Sequence, residues 1–216
     1  MNKNVKYFIR FFLLMLLFAC TPEDPKMNEF SYVFITWSPR TINAGGEVDI
    51  ADGSRGVKSR LWTFPAEAGV QFLENSGSNN SSTERIVYCI FPNSGIFDVR
   101  LQTTFNDPSV TLDSLIRITV IDNVKALFTS NTQEVRVGET VNFQSVSTGQ
   151  ANLYNWTFSG GTPSTSSTEN PSVQYDYPGT WDVELIAFRN SPLSRDTLLI
   201  KNYITVLPAI TSETGD

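Results

Sequence analysis

The sequence predicts an all-β protein made of two tandem β-sandwiches, and three observations carry that expectation. From residue 29 onward no helical periodicity is sustained, and short β-rich runs alternate with Gly, Asn, Ser and Pro clusters. The runs Val137–Phe143, Tyr154–Phe158 and Trp181–Ala187 alternate apolar and polar residues, the period of a strand with one buried face. The same succession of runs occurs twice, which divides the chain into two sandwiches rather than one large one. The composition agrees: of 216 residues 40% are hydrophobic, 12% aromatic and 18% charged, enough apolar material for packed cores.

The first element is a processing signal. Lys3, Lys6 and Arg10 precede the run Phe11–Ala19, a basic flank before a short apolar stretch. Nine apolar residues are too few to cross a bilayer, which takes about 20. Leu17-Phe18-Ala19-Cys20 resembles the lipobox of bacterial lipoproteins. That resemblance implies cleavage before Cys20, acylation of its thiol and new amino group, and stable anchoring by several acyl chains (palmitate among them). Residues 1–19 are then a lipoprotein signal peptide, and 20–28 a polar, Pro-containing linker. Glu23 and Asp24 resemble the acidic export signal behind the lipidated Cys in surface lipoproteins of Bacteroidetes-type bacteria, implying the outer membrane or cell surface. Loss of residues 1–19 moves the net charge from -6 to -9. So acidic a chain is a poor partner for nucleic acid or anionic headgroups, and membrane attachment rests on lipid alone.

The first sandwich is read over 29–121 and the second over 124–207, with a polar tail at 208–216. Gly45–Ile50 parallels Gly138–Phe143 at an offset of 93, and Leu61–Phe64 parallels Asn155–Phe158 at 94. Gly95–Leu101 parallels Gly179–Leu185 at 84, and Ile116–Val120 parallels Asn202–Val206. The drop of ten makes the first copy longer between Trp62 and Gly95. The polar tract Glu74–Glu84 is the expected place for the extra length, as a surface loop. Trp62/Phe64 and Trp156/Phe158 are each two residues apart, so each pair faces one side of a strand and fills a core. Trp181 is expected in the core as well.

In the second copy, Val137-Gly138, Trp156-Thr-Phe-Ser-Gly-Gly-Thr-Pro163, Asn170-Pro171, Tyr177-Pro-Gly-Thr-Trp181, Val183, Leu185 and Tyr203–Val206 together resemble a PKD domain. The first copy keeps Trp62, Phe64, Gly95, Phe97, Val99 and Leu101 but has Phe64-Pro-Ala-Glu where the other has its Gly-Gly turn, so it resembles the family more distantly. The resemblance implies an immunoglobulin-like sandwich and a non-catalytic spacer or binding module.

Candidate sites are few. The absence of histidine excludes imidazole bases and His-containing metal sites, and two cysteines cannot form a four-thiolate zinc site or a disulfide framework. No nucleophile motif, phosphate loop or ligand cluster stands out, so no catalytic residue, cofactor or metal is assigned. Glu47, Asp49 and Asp52 read as a solvated strand face, although some PKD domains bind calcium. Cys89, aligned with Tyr175, reads as an inert buried thiol. Trp37, aligned with Ser130, either covers the sandwich edge or the domain junction, or offers a ring to a sugar. Asp113-Ser114-Leu115 and Asp196-Thr197-Leu198, each ahead of a last strand, resemble the O-glycosylation acceptor motif of Bacteroidetes, marking Ser114 and Thr197. The sequence therefore points to a lipid-anchored envelope protein that binds glycan or protein without catalysis. A structural spacer or a subunit of a larger envelope complex is the alternative.

Overall fold

The computed structural model describes residues 34–210. The signal, Cys20, the linker 20–28 and residues 211–216 lie outside them. The described chain divides into two compact units, 34–40 with 45–119, and 41–44 with 120–210. Its strands are β1 (Ile35–Ser38), β2 (Thr41–Asn43), β3 (Gly46–Asp52), β4 (Val57–Thr63), β5 (Gln71–Leu73), β6 (Ser81–Ser82), β7 (Ile86–Phe91), β8 (Gly95–Phe105) and β9 (Thr111–Ile121) for the first copy. The second has β10 (Phe128–Ser130), β11 (Glu134–Arg136), β12 (Glu139–Ser145), β13 (Leu153–Phe158), β14 (Gly161–Thr162), β15 (Thr165–Ser166), β16 (Ser172–Tyr175), β17 (Gly179–Asn190) and β18 (Leu193–Leu207).

The first sandwich has sheets ordered β1-β3-β7-β5 and β2-β9-β8-β4-β6. The second has β10-β12-β16-β14 and β11-β18-β17-β13-β15, the same two orders displaced by nine strands. The duplication read from four sequence blocks thus holds strand by strand. In both copies a Trp anchors the fold. Trp62 pairs with Ser82 and Leu101, and Trp156 with Ser166 and Leu185. Each indole is buried and donates to the carbonyl two residues beyond its serine partner, Glu84 at 3.1 Å and Thr168 at 2.9 Å. In the second core Trp156 stacks on Phe158, and Phe143 packs against both, with Phe128 and Tyr203 closing the cluster. In the first, Phe64 meets Phe72 edge-on and Phe91 stacks on Phe97.

The structure corrects three details. Cys89 lies opposite Val48, as Val173 lies opposite Val141, so Val173 is its counterpart. The counterpart of Tyr175 is Phe91; their carbonyls accept the Gly138 and Gly45 amides, both at 2.8 Å. A slip of two residues preserves the face of a strand, so the apolar pattern could not expose it. The ten extra residues fall between Trp62 and Ser82, but not all in the polar tract: one turn of 3-10 helix, Ala66–Ala68, takes up some of them. Trp181 is only half-buried. It packs against the rim of the core and lies over Gly160, where a Cβ would come within 2.4 Å of its ring, so it also covers the glycine turn.

Candidate functional site

The largest difference between the copies is the connection from the fifth to the sixth strand. In the second copy β14 and β15 are joined by Pro163 and Ser164 alone. In the first, residues 74–80 join β5 to β6. Both connections rejoin the scaffold alike: Phe64 N donates to Asn80 O, and Phe158 N to Ser164 O, each at 2.8 Å. The longer loop is not a loose excursion. Asn79 and Asn80 both take left-handed backbone angles, φ 50° and 59°, and the Ser78 and Ser81 backbones exchange two hydrogen bonds of 2.9 Å around them. That is a tight turn of the mirror-image kind, in which asparagine costs less than most residues. Glu74 and Asn75 are left-handed too.

Serine side chains pin this loop from beneath. Ser76 is buried; its Oγ donates to Tyr88 O at 2.9 Å and accepts Tyr88 N at 3.1 Å, extending the sheet edge with a hydroxyl. Ser82, also buried, donates through Oγ to Ser76 O and accepts Glu84 N at 3.1 Å. A Cβ on Gly77 would fall 2.6 Å from the Phe72 ring and 2.7 Å from Ser81 O, so only glycine lets the loop close down onto the core. The outcome is an open concavity of about 450 Å³ lined by 75–78 and 81–84. Its surface is hydroxyl, amide and main chain, with one carboxylate, Glu84, and neither a basic nor an aromatic side chain.

The residues singled out from sequence are dispersed. Trp37 is half-buried in β1, the Arg40 guanidinium lies 4.6 Å from its ring centroid, and its Nε1 is buried without a partner. It does pair with Ile50 as Ser130 pairs with Phe143, so that alignment holds. The Arg40 cation thus occupies one face of the ring. Cys89 is buried, its Sγ is 3.6 Å from Val48 O, and burial together with Asp49 pushes its thiol up to about 12. Asp52 departs from the expected solvated face. It is fully buried, accepting Ser54 N at 2.9 Å and Arg60 Nε at 3.0 Å. Among the described residues no group of three His, Cys, Asp or Glu could hold a metal ion.

Ser114 and Thr197 lie within β9 and β18, not in turns ahead of them. Thr197 is exposed opposite Ile186, whereas Ser114 is half-buried. The two motifs are also out of step. Asp113 grips Arg100, the counterpart of Glu184, and Glu184 pairs with Leu199 rather than Asp196. Asp196 instead accepts the Ala126 amide at 2.9 Å. That contact, ahead of the Lys125 ammonium 3.6 Å away, holds its carboxyl below the usual range.

In sequence the tract Glu74–Glu84 is a polar surface loop, and nothing in its composition reveals the concavity. The available signals were Asn79-Asn80, the pairing that favours a mirror-image turn, and a glycine between two serines.

A PKD domain is found at residues 127–202, where the chain matches the model of that family. No curated protein matches the chain. Among solved structures, the C-terminal 282-residue fragment of intimin, in complex with the intimin-binding domain of its translocated receptor, is 13% identical with a TM-score of 0.45. The match covers 81% of this chain and 64% of that one, so the chain spans under two thirds of that fragment. Murine CEACAM1b is 15% identical at a TM-score of 0.40, with 82% of this chain and all of that one covered. An ICAM-5 D1–D4 ectodomain fragment is 10% identical at 0.46, with 84% and 53% covered. Among the described residues no helix is long and apolar enough to cross a membrane.

Proposed function

We propose that this protein is a non-catalytic envelope lipoprotein whose two sandwiches present a binding surface for glycan or protein at the cell surface. One observation carries the reading: the copies share every strand and their Trp anchors, yet one connection in the first is rebuilt as an ordered concavity. A rigid scaffold that carries an ordered, pinned loop is the usual arrangement for a binding site. The PKD domain at 127–202 supports a presentation role for the second copy. We take 29–121 and 124–207 as the domain boundaries, Cys20 as the acylated N-terminus and the lipid as the membrane contact. Ser114 and Thr197 remain proposed attachment points for glycan, with exposed Thr197 the better placed.

Two measurements test this reading. Cys20→Ala should move the protein from the membrane fraction to the soluble periplasm; an Ala variant that stays with membranes through high-salt washing would rule out the lipid anchor. The mature protein should leave polysaccharide and peptide substrates unchanged, and turnover by pure protein would overturn the non-catalytic assignment.

A further inference from the structure

The geometry points to a neutral saccharide of one or two rings as the ligand of the 75–84 concavity in the first copy. This rests on the binding role proposed above and names its site and ligand class. The lining selects by exclusion. An anion would find no basic side chain there, only the Glu84 carboxylate in a chain of net charge -6. An apolar ligand would strip water from hydroxyls and amides and return no hydrogen bonds. A polyol suits both counts. Ser78 and Thr83 carry hydroxyls, which donate and accept; the Ser81 hydroxyl donates to Ser78 O at 3.1 Å and is left as an acceptor; Asn75 does both through its amide; a carboxylate such as Glu84 accepts from adjacent hydroxyls. The volume of about 450 Å³ falls in the lower half of the range of about 300–1,000 Å³ typical of small-molecule sites, which limits the occupant to a short saccharide.

The construction favours recognition over mobility. Ser76 and Ser82 are buried and spend their hydroxyls on the floor, while Ser78 and Thr83 are exposed. Gly77 seats the loop against Phe72, which meets Phe64 of the core. A preorganised floor lowers the cost of ordering on binding. With no aromatic side chain in the lining, sugar rings gain hydrogen bonds but no stacking, so the affinity is weak.

The test uses the chain from Cys20 onward, as the proposed processing leaves it, labelled with nitrogen-15. It is titrated separately with cellobiose, mannobiose, digalacturonate and calcium chloride. A neutral disaccharide should shift the amides of Ser76, Gly77, Ser78 and Thr83 saturably, with digalacturonate at least about tenfold weaker. Thr83→Arg alters an exposed position and should reverse that order, weakening the neutral sugar and strengthening the uronate. Ser78→Trp should block both without disturbing amides of the second copy. Saturable shifts that survive both variants, or that fall only in the second copy, would overturn this site and leave the binding role standing. Shifts with calcium alone would replace the saccharide with a cation. If no saccharide shifts any amide and immobilised protein also captures no partner from envelope extract, both the site and the binding role fall.

Discussion

Set side by side, the two sandwiches show which positions a shared fold holds fixed and which it leaves open. Held in common are nine strands in the same order, the Trp62 and Trp156 anchors, and a side chain that turns the chain after the third strand. At that last place Asp52 accepts Ser54 N, and Ser145 accepts Ser147 N at 3.3 Å. Ser54 and Ser147 then accept Phe34 N and Leu127 N at 3.0 and 3.1 Å. The backbone task is the same, but the side chains around it differ. The first copy uses a buried carboxylate and answers it with Arg60, while the second uses Ser145 and puts Tyr154 at the position of Arg60. Sandwich architecture constrains hydrogen-bond completion more tightly than residue identity, and connections are constrained least of all. Hence the two copies diverge most between the fifth and sixth strands.

The comparison breaks most readily at the anchors. Trp62→Ala and Trp156→Ala should each cost about 3–5 kcal/mol, since each empties a buried aromatic site. Denaturant unfolding combined with hydrogen exchange should confine the loss to the mutated copy. Costs differing by more than about half would mean that the two tryptophans are not equivalent.

Next comes Asp52. Asp52→Ser should cost about 2–3 kcal/mol, below the figure for a fully buried pair because Arg60 retains some exposure. Adding Arg60→Tyr installs the pair found in the second copy and should recover most of that loss. A double variant no better than the single one would show that the surroundings, not the pair, distinguish the copies.

The orphan hydroxyls sharpen the same point in the opposite direction. Thr103 Oγ1 and Tyr175 OH are buried without partners, and burial pushes the Tyr175 phenol up to about 12. Their counterparts in the other copy are Ala187 and Phe91. Thr103→Val and Tyr175→Phe should therefore be neutral or raise stability by about 1 kcal/mol, because each removes an unsatisfied hydroxyl and keeps the buried volume. A loss above about 1 kcal/mol in either would reveal an ordered water bound to that hydroxyl.

The smallest effect is electrostatic. Arg117 and Arg100 grip Asp98 and Asp113 on the exposed face of the first copy, with shortest contacts of 2.8 and 2.5 Å, and hold both carboxyls below the usual range. A depressed carboxyl contributes above its ordinary value of 3.8 and loses that contribution as pH falls through the folded value. The first copy should accordingly lose slightly more stability than the second between pH 4 and 2, and added salt should narrow the gap. Copy-resolved melting across that range measures it; an equal decline in the two would mean that these pairs together contribute no more than Asp196, the depressed carboxyl of the second copy.

Much of this architecture was already legible as a pattern. Alternation at period two marked the strands, and the Trp-x-Phe pairs located equivalent core positions because a strand repeats its facing every second residue. Four blocks in the same order established the duplication. The motifs around Trp156 and Tyr177 indicated the family found at 127–202. What the pattern could not fix was anything invariant to a two-residue shift or dependent on distant partners. Cys89 matched Tyr175 as well as Val173 because both choices keep the same face. Trp181 read as core, since nothing local says that Gly160 would be its seat. Asp52 read as solvated because its partner, Arg60, lies on another strand. The concavity depended on tertiary structure most of all: its floor is made by Ser76 reaching Tyr88, Ser82 reaching Ser76 and Gly77 settling on Phe72. The sequence specified a polar loop with turn-forming asparagines; whether it stood free or closed into a site was decided by contacts that form only when strands far apart in the chain lie side by side.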